Sequence, residues 1–283
     1  MPASNLTTAP ALLTPPSART LPPPAHRKPR LLARLAHAYR HTIFNPFWLD
    51  ARHLRRSIAG LAPEARGLLL DVGVAERPYG ALFAPHVRRY VGLEYPPACE
   101  NLSPGISGEH LGHLRGAVDV WGDAHALPFR PGSFDTVLCL ELLEHVPDPD
   151  RCVGQIARVL RPGGRLLATV PFIAPLHAMP YDFSRLTAPG LGALLARHGL
   201  ELVSLVPRGN TASATGALLA QYLLRCVGRG SEARDGSVAL SRWRAPFVLP
   251  LIGLVQLLFL GLERCTRDSA ACLGHTVIAR RPG

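Results

Sequence analysis

Three acids recur along the middle of this chain, each where an apolar run ends. Asp71 closes LLLD ahead of Val72, Gly73, Val74 and Ala75; Glu94 closes RYVGLE; Asp123 follows the run that ends at Trp121 and precedes Ala124. A carboxylate only accepts, through two oxygens, so an acid about twenty residues beyond a small-residue turn suits the adjacent hydroxyls of a ribose. An acid one strand later can accept from an amino group such as that of adenine. Leu140 and Glu141 end a fourth run, FDTVLCLE. A single acid at a strand end is more often a cap or a solvated loop residue, and Asp148 and Asp150 read that way, as turn and capping residues of a following helix. Glu144 reads as structural. The spacing of Glu94 and Asp123 relative to one another sets them apart.

A second group lies in the stretch 171–185, which holds His177, Tyr181, Asp182 and Arg185 and is longer than an ordinary strand-to-helix connection. His177 is the first candidate base, because an unperturbed imidazole titrates near neutrality. His145, closer to the end of the fourth run, is the second. Asp182 either joins that chemistry or fastens the loop by pairing with Arg185. No metal set is expected: His110 and His113 have no companion at ligand spacing.

These residues need a scaffold that brings strand ends together. From Gly67 onward the pattern alternates apolar strands with helices, which argues for a doubly wound, mostly parallel seven-stranded α/β sheet. Strands are expected at 67–72, 89–94, 117–121, 134–140, 165–170, 200–206 and 276–279. Helices are expected at 49–61, 81–86, 150–160, 191–198 and 212–227, with Pro162, Gly163 and Gly164 stopping the third. In such sheets ligands sit beyond the carboxyl ends of the central strands, so both groups of residues converge there. The chain divides into a Pro-rich disordered tail at 1–30, helices at 31–66 that include a basic amphipathic one near 31–43, a core at 67–209 and 272–283, and an apolar helical insertion at 210–271.

The segments LLLDVG, YVGLE, GDAHALPF, SFDTVLCLELLEHVPDP and LRPGGRLLATVP, in that order, resemble the class I S-adenosylmethionine-dependent methyltransferases, and among them the type 11 family. The resemblance covers roughly half the chain, 67–206. It implies S-adenosylmethionine as cofactor, bound by Asp71, Gly73, Glu94 and Asp123, with Ala124 and Leu140 contributing through their backbones and Val74, Ala75 and Glu141 bordering the site. Related members are similar in the later loop, with H-x-x-P-x-D-F-x-R-x-T. The first turn departs from the family's D-x-G-x-G-x-G: Ala75 and Arg77 replace its second and third glycines, and a Cβ there crowds a ligand or forces an unfavourable φ. A methyltransferase with a shifted cofactor turn is expected; the alternative is a binding or scaffold protein that keeps the fold without turnover. A nicotinamide dehydrogenase would need a third glycine where Pro78 stands.

Methyl transfer needs alignment more than elaborate catalytic groups, and a base only when the acceptor is protonated. The expected acceptor is a small molecule, a lipid-linked intermediate or a glycan; the aromatic and basic platform of a single-stranded RNA binder is missing. The net charge is +11, yet no acid precedes Asp50, so much of the excess lies in that first stretch. Six cysteines without a C-x-x-C pair and a Pro-broken beginning fit a reduced cytoplasmic protein. The run APFVLPLIGLVQLLFLGL at 245–262 carries no charge and approaches transmembrane length. Pro246, Pro250, Gln256 and a final strand that must rejoin the sheet argue against a span. Peripheral membrane contact, a lid or substrate wall, or a homodimer face remain as its roles.

Overall fold

The computed structural model describes residue 39 and residues 41–95, 117–227 and 243–283. The Pro-rich stretch, nearly all of the amphipathic helix expected at 31–43, and the His110 and His113 pair lie outside the described residues.

Seven strands form one sheet: β1 (Leu68–Val72), β2 (Arg89–Glu94), β3 (Val120–Trp121), β4 (Phe134–Leu140), β5 (Leu160–Pro171), β6 (Glu201–Arg208) and β7 (Gly274–Arg280). Their order is β3-β2-β1-β4-β5-β7-β6, and only β7 runs antiparallel to its neighbours. The central strands are apolar on consecutive residues because both faces are covered. Leu69, Leu138 and Leu167 point to one side, where Ile58 and Leu61 of α1 (Trp48–Leu61) and Phe83 of α2 (Gly80–Phe83) pack on them. Their neighbours Leu70, Val137, Cys139, Leu166 and Ala168 point to the other, against α3 (Pro149–Val159) and α4 (Ala188–Arg197).

Local chemistry sets the helix ends. The Asp148 carboxylate accepts from the Arg151 N–H at 2.9 Å, with Pro149 in the first turn, so α3 begins as a capped helix should. Thr187 caps α4 in the same way, and Gly199, at φ 67°, ends it. Asp150 does not cap; it pairs with Arg197 at 2.8 Å and lies 3.2 Å from His198.

Two strands differ from expectation. β3 is confined to Val120–Trp121 because the residues before it serve other partners: Arg77 donates to the Ala117 carbonyl and to the Asp119 carboxylate. β5 begins at Leu160, ahead of the Pro-Gly-Gly sequence, because Leu160 already pairs with Phe134; a register shift then absorbs the turn before Arg165 joins Thr136.

Between β6 and β7 stand α5 (Thr211–Val227) and α6 (Ala245–Cys265). Ala220, Leu224, Val248 and Ile252 join them. α6 is also pinned to the start of α1 by the fully buried Gln256, which accepts from the Leu49 N–H at 2.9 Å and donates to the carbonyls of Ile43 and Asn45 at 2.6 and 2.9 Å. Farther along, Glu263 pairs with His53 at 3.0 Å.

Candidate active site

The chain turns sharply after β1. Gly73 and Val74 both donate to the Leu93 carbonyl, at 2.9 and 3.1 Å, which locks the turn onto the end of β2. Gly73 has φ 77°, and a Cβ there would stand 3.0 Å from Leu142 Cδ1, so both backbone and space call for glycine. Ala75 and Arg77 are also left-handed, at φ 45° and 55°. The two replaced glycines therefore still adopt glycine's conformation, at a cost of about 1–2 kcal/mol for each side-chain-bearing residue. Arg77 offsets its share: its guanidinium forms an ion pair with Asp119 at 2.6 Å and lies 4.8 Å from the Tyr90 ring centroid, tying the turn to the approach of β3. Ala75 has no such compensation. Ala75→Gly is therefore expected to stabilise the fold by about 1 kcal/mol, raising Tm by about 2–4 °C in a thermal melt, with cofactor affinity unchanged or tighter. A lower Tm would show that the turn is not strained there.

Asp71 is buried and accepts from the Tyr90 hydroxyl; burial pushes its carboxyl up to about 7, against the pull of that bond and of Arg77. Glu94 accepts from the Ala75 N–H at 2.8 Å and from the Tyr95 N–H at 2.9 Å, one bond to each oxygen, leaving acceptor capacity toward the cleft. Asp123 accepts from the backbone and ring of His125 at 2.8 and 2.7 Å, and its carboxylate is half-exposed. The Gly122 N–H, bonded to the Glu94 carbonyl at 2.8 Å, holds these two acids at neighbouring strand ends. Ala124 is buried beneath them.

Beyond Leu140, Glu141 has φ 49° and donates its N–H to the Thr169 carbonyl at 2.9 Å. Its carboxylate is held by Arg208 at 2.8 and 3.2 Å, and Arg208 also lies 3.4 Å from Asp50 of α1. Glu141 thus borders the site through its backbone, with its side chain committed to a buried arginine. Nothing in the local sequence around Arg208 announced that role.

The loop after β5 folds back over the end of β4. The His145 Nδ1 lies 2.6 Å from the Tyr181 carbonyl. A carbonyl only accepts, so Nδ1 carries the hydrogen and Nε2 bears the lone pair in the neutral ring. Burial lowers the His145 pKa, opposed by the Tyr181 bond and helped by His177, whose ring stands edge-on at 4.9 Å. Asp182 is enclosed. It accepts from the His177 N–H at 3.0 Å and grips Arg185 with both oxygens. Although burial alone would raise it, the Arg185 bonds hold the Asp182 carboxyl below the ordinary range. Asp182 therefore fastens the loop that carries His177.

Glu144 is the residue the sequence concealed. It is 2% exposed, neither of its oxygens has a hydrogen-bond partner, and Oε1 stands 3.6 Å from His145 Nε2. Burial, and next the nearby Glu141, push its carboxyl up to about 8. Glu144, His145 and His177 each bring one ligand atom within 4.8 Å of the others, a set with the spacing for a divalent cation that the sequence reading did not consider. Residues 144 and 177 are too far apart in the chain for spacing to reveal it.

Residues 70–168 match a family model described as a methyltransferase domain. A ubiquinone biosynthesis O-methyltransferase of Sodalis glossinidius is 32% identical over 145 residues, 50% of each chain. The corresponding protein of Xanthomonas euvesicatoria is 41% identical over 81 residues, and the match covers only 28% of each chain. Among solved structures, a chain in the complex of the Haloferax volcanii Trm112 methyltransferase activator with a methyltransferase superposes with a TM-score of 0.50 at 16% identity, covering 89% of this chain and 97% of that one; this likeness concerns the fold. The chain spans half or less of the length of those two curated relatives. With the glycine turn, the acids at the ends of β2 and β3, and the strand order already described, residues 70–168 form a class I S-adenosylmethionine-dependent methyltransferase domain of the type 11 family.

Proposed function

We propose that the protein transfers a methyl group to a hydroxyl of a small-molecule acceptor, a class in which we include lipid-linked intermediates and glycans. The observation that carries this reading is His145: a half-buried imidazole, fixed in one tautomer by the Tyr181 carbonyl, which leaves the basic lone pair on Nε2, 3.6 Å from the Glu144 carboxyl. A hydroxyl must give up its proton as it is methylated, whereas a thioether or an already neutral amine attacks with a free lone pair. The names of the Sodalis and Xanthomonas relatives as O-methyltransferases support the same choice.

The left-handed turn at Gly73 and Ala75 and the carboxylates of Glu94 and Asp123 fit the cofactor, with Asp71, Val74, Ala124, Leu140 and the Glu141 backbone around it. When bound, S-adenosylmethionine supplies a methyl carbon activated by its sulfonium. The protein's part would be to position the acceptor hydroxyl and to receive its proton at His145 Nε2. The His177 ring stands edge-on to His145 at 4.9 Å, while Asp182 and Arg185 hold its loop. With its carboxyl raised to about 8, Glu144 is mostly neutral at pH 7 and adds little negative charge beside His145, whose pKa burial lowers against the upward pull of Tyr181 and Asp182.

The test has two stages. Calorimetry should detect S-adenosylmethionine binding, and Glu94→Ala should weaken it by about 1–3 kcal/mol, roughly 5- to 150-fold in Kd, through loss of charge-assisted bonds. S-adenosylhomocysteine release should then respond to a panel of catechol, quinol and aliphatic hydroxyl acceptors. Absence of cofactor heat would remove the cofactor assignment. Cofactor binding with no turnover on any acceptor would favour the scaffold reading.

A further inference from the structure

α6 presents its apolar side to the outside. Val248, Ile252 and Gln256 recur every fourth residue and are buried against α5 and the start of α1. Phe247, Leu251, Leu254, Leu258 and Leu262 form the opposite stripe, and all are exposed, from 41% at Leu262 to 78% at Phe247. Leu257 widens the stripe at 55%, and Trp243, just ahead of the helix, is 87% exposed. The ring of Phe44, itself 45% exposed, sits against Gly253 and extends the apolar surface beyond the helix. Only 22% of the most apolar window is buried, although this is the single helix among the described residues with the length and hydropathy of a membrane span. A soluble monomer seldom shows so long a row of large apolar side chains without a use for it.

The surroundings indicate what covers the stripe. Glu263, the first charged residue after Arg244, is paired with His53 and so adds no free anion. Burial weakens the Arg52 guanidinium's hold on its proton, as do the nearby Arg56, Arg264 and Arg55, while Glu263 strengthens it, so arginine is in excess beside the carboxyl end of α6. Arg56 and Arg264 are exposed, and Arg267 follows, exposed as well. Leucine and aromatic residues on one side, arginine at the ends and tryptophan at the margin is the composition of a helix that lies in a lipid interface. A full crossing is excluded by the fold: Gln256, at the middle of the helix, is buried and bonded to backbone on both sides of Asn45, and β7 must begin beside the carboxyl end of β6.

We propose that α6 lies in the surface of an anionic bilayer, with the stripe from Phe247 to Leu262 at the acyl boundary and the arginines near its carboxyl end among acidic headgroups. The placement has a functional sense. α5 leaves the sheet after Arg208 and α6 leads into Gly274, residues paired in register, so both helices stand on the carboxyl edge of the sheet, where the cofactor turn also lies. An apolar acceptor partitioned in the bilayer would then reach the site from the membrane side. This inference does not depend on the assigned chemistry.

The experiment is flotation of the full chain with phosphatidylcholine vesicles, with and without phosphatidylglycerol. The intact chain is expected to float with the anionic vesicles and to be released by high salt. The double substitution Leu254→Asp and Leu258→Asp should reduce flotation by at least about tenfold, because a charge at an inserted position opposes binding. Both side chains are exposed, so Tm and S-adenosylmethionine affinity should be unchanged in that variant, separating loss of docking from loss of fold. No flotation of the intact chain, equal flotation of the variant, or equal binding to uncharged vesicles would overturn the proposal. So would a stable dimer of the intact chain that the double substitution dissolves, since a second copy would then cover the stripe.

Discussion

His145→Ala is expected to lower kcat by about 10²- to 10⁴-fold, the range over which a positioned general base contributes, while cofactor affinity changes little. The pH profile separates this role from simple support of the loop. Because burial lowers the His145 pKa, the base is already neutral at pH 7, and kcat/KM for the unaltered protein should rise with pH along a limb centred below the ordinary value of about 6.5 and then level off. In the variant that limb should disappear and the residual rate should follow the hydroxide concentration. His177→Ala should cost less, since its ring is partly exposed and stands 3.4 Å from the Asp182 carboxylate that fastens the loop. A loss below about tenfold with the acid limb intact would place the base elsewhere.

Arg208→Leu is expected to lower stability by about 3 kcal/mol, a Tm drop of roughly 6–12 °C in thermal denaturation. Arg208 has 1% of its side chain exposed and joins Glu141, at the end of β4, to Asp50 on α1. Removing it leaves two carboxylates facing each other without a counter-charge. The loss sits at the low end of the range for broken buried pairs because Glu141 and Asp50 keep 25% and 31% of their side chains in solvent. Arg208→Lys should recover only part of it, since an ammonium cannot bind Glu141 with two parallel bonds. Pairing Arg208→Leu with Glu141→Leu should recover more. If Arg208→Leu melted like the unaltered protein, the carboxylates would be protonated or solvated and the pair would contribute nothing.

The two predictions divide along the line between what the sequence disclosed and what it did not. β2 and β4 have the expected bounds because the apolar runs YVGL and VLCL within them have clear ends, and strand burial follows from those runs. The acids at those ends were legible for the same reason. At Ala75 and Arg77 the sequence left open crowding of a ligand or an unfavourable φ, and the left-handed φ at both is the structure's finding. What could not be read were partners distant in the chain: Arg208 meets Glu141 across 67 residues, and Arg77 reaches Asp119 across 42. The shortening of β3 is a consequence of the second contact. Glu144 was read as structural because a carboxylate in an E-x-x-E-H segment gives no local sign of its burial; only the return of the β5 loop, with the Phe183 N–H on the Glu144 carbonyl at 2.7 Å, encloses it.

The antiparallel placement of β7 has a consequence for how such proteins diversify. A parallel crossover must span the sheet, so its length and path are constrained by every layer it passes. The β6-to-β7 connection departs and returns through a single gap, with Arg208 and Gly274 side by side. Lengthening a connection of that kind adds only about 0.6 kcal/mol of closure entropy for each doubling, and it displaces no other strand. New material can accumulate there while the turn at Gly73, the acids at the ends of β2 and β3 and the histidines over β4 stay in place. Selection can therefore act on that connection and on the site at the strand ends as two separate inheritances within one chain.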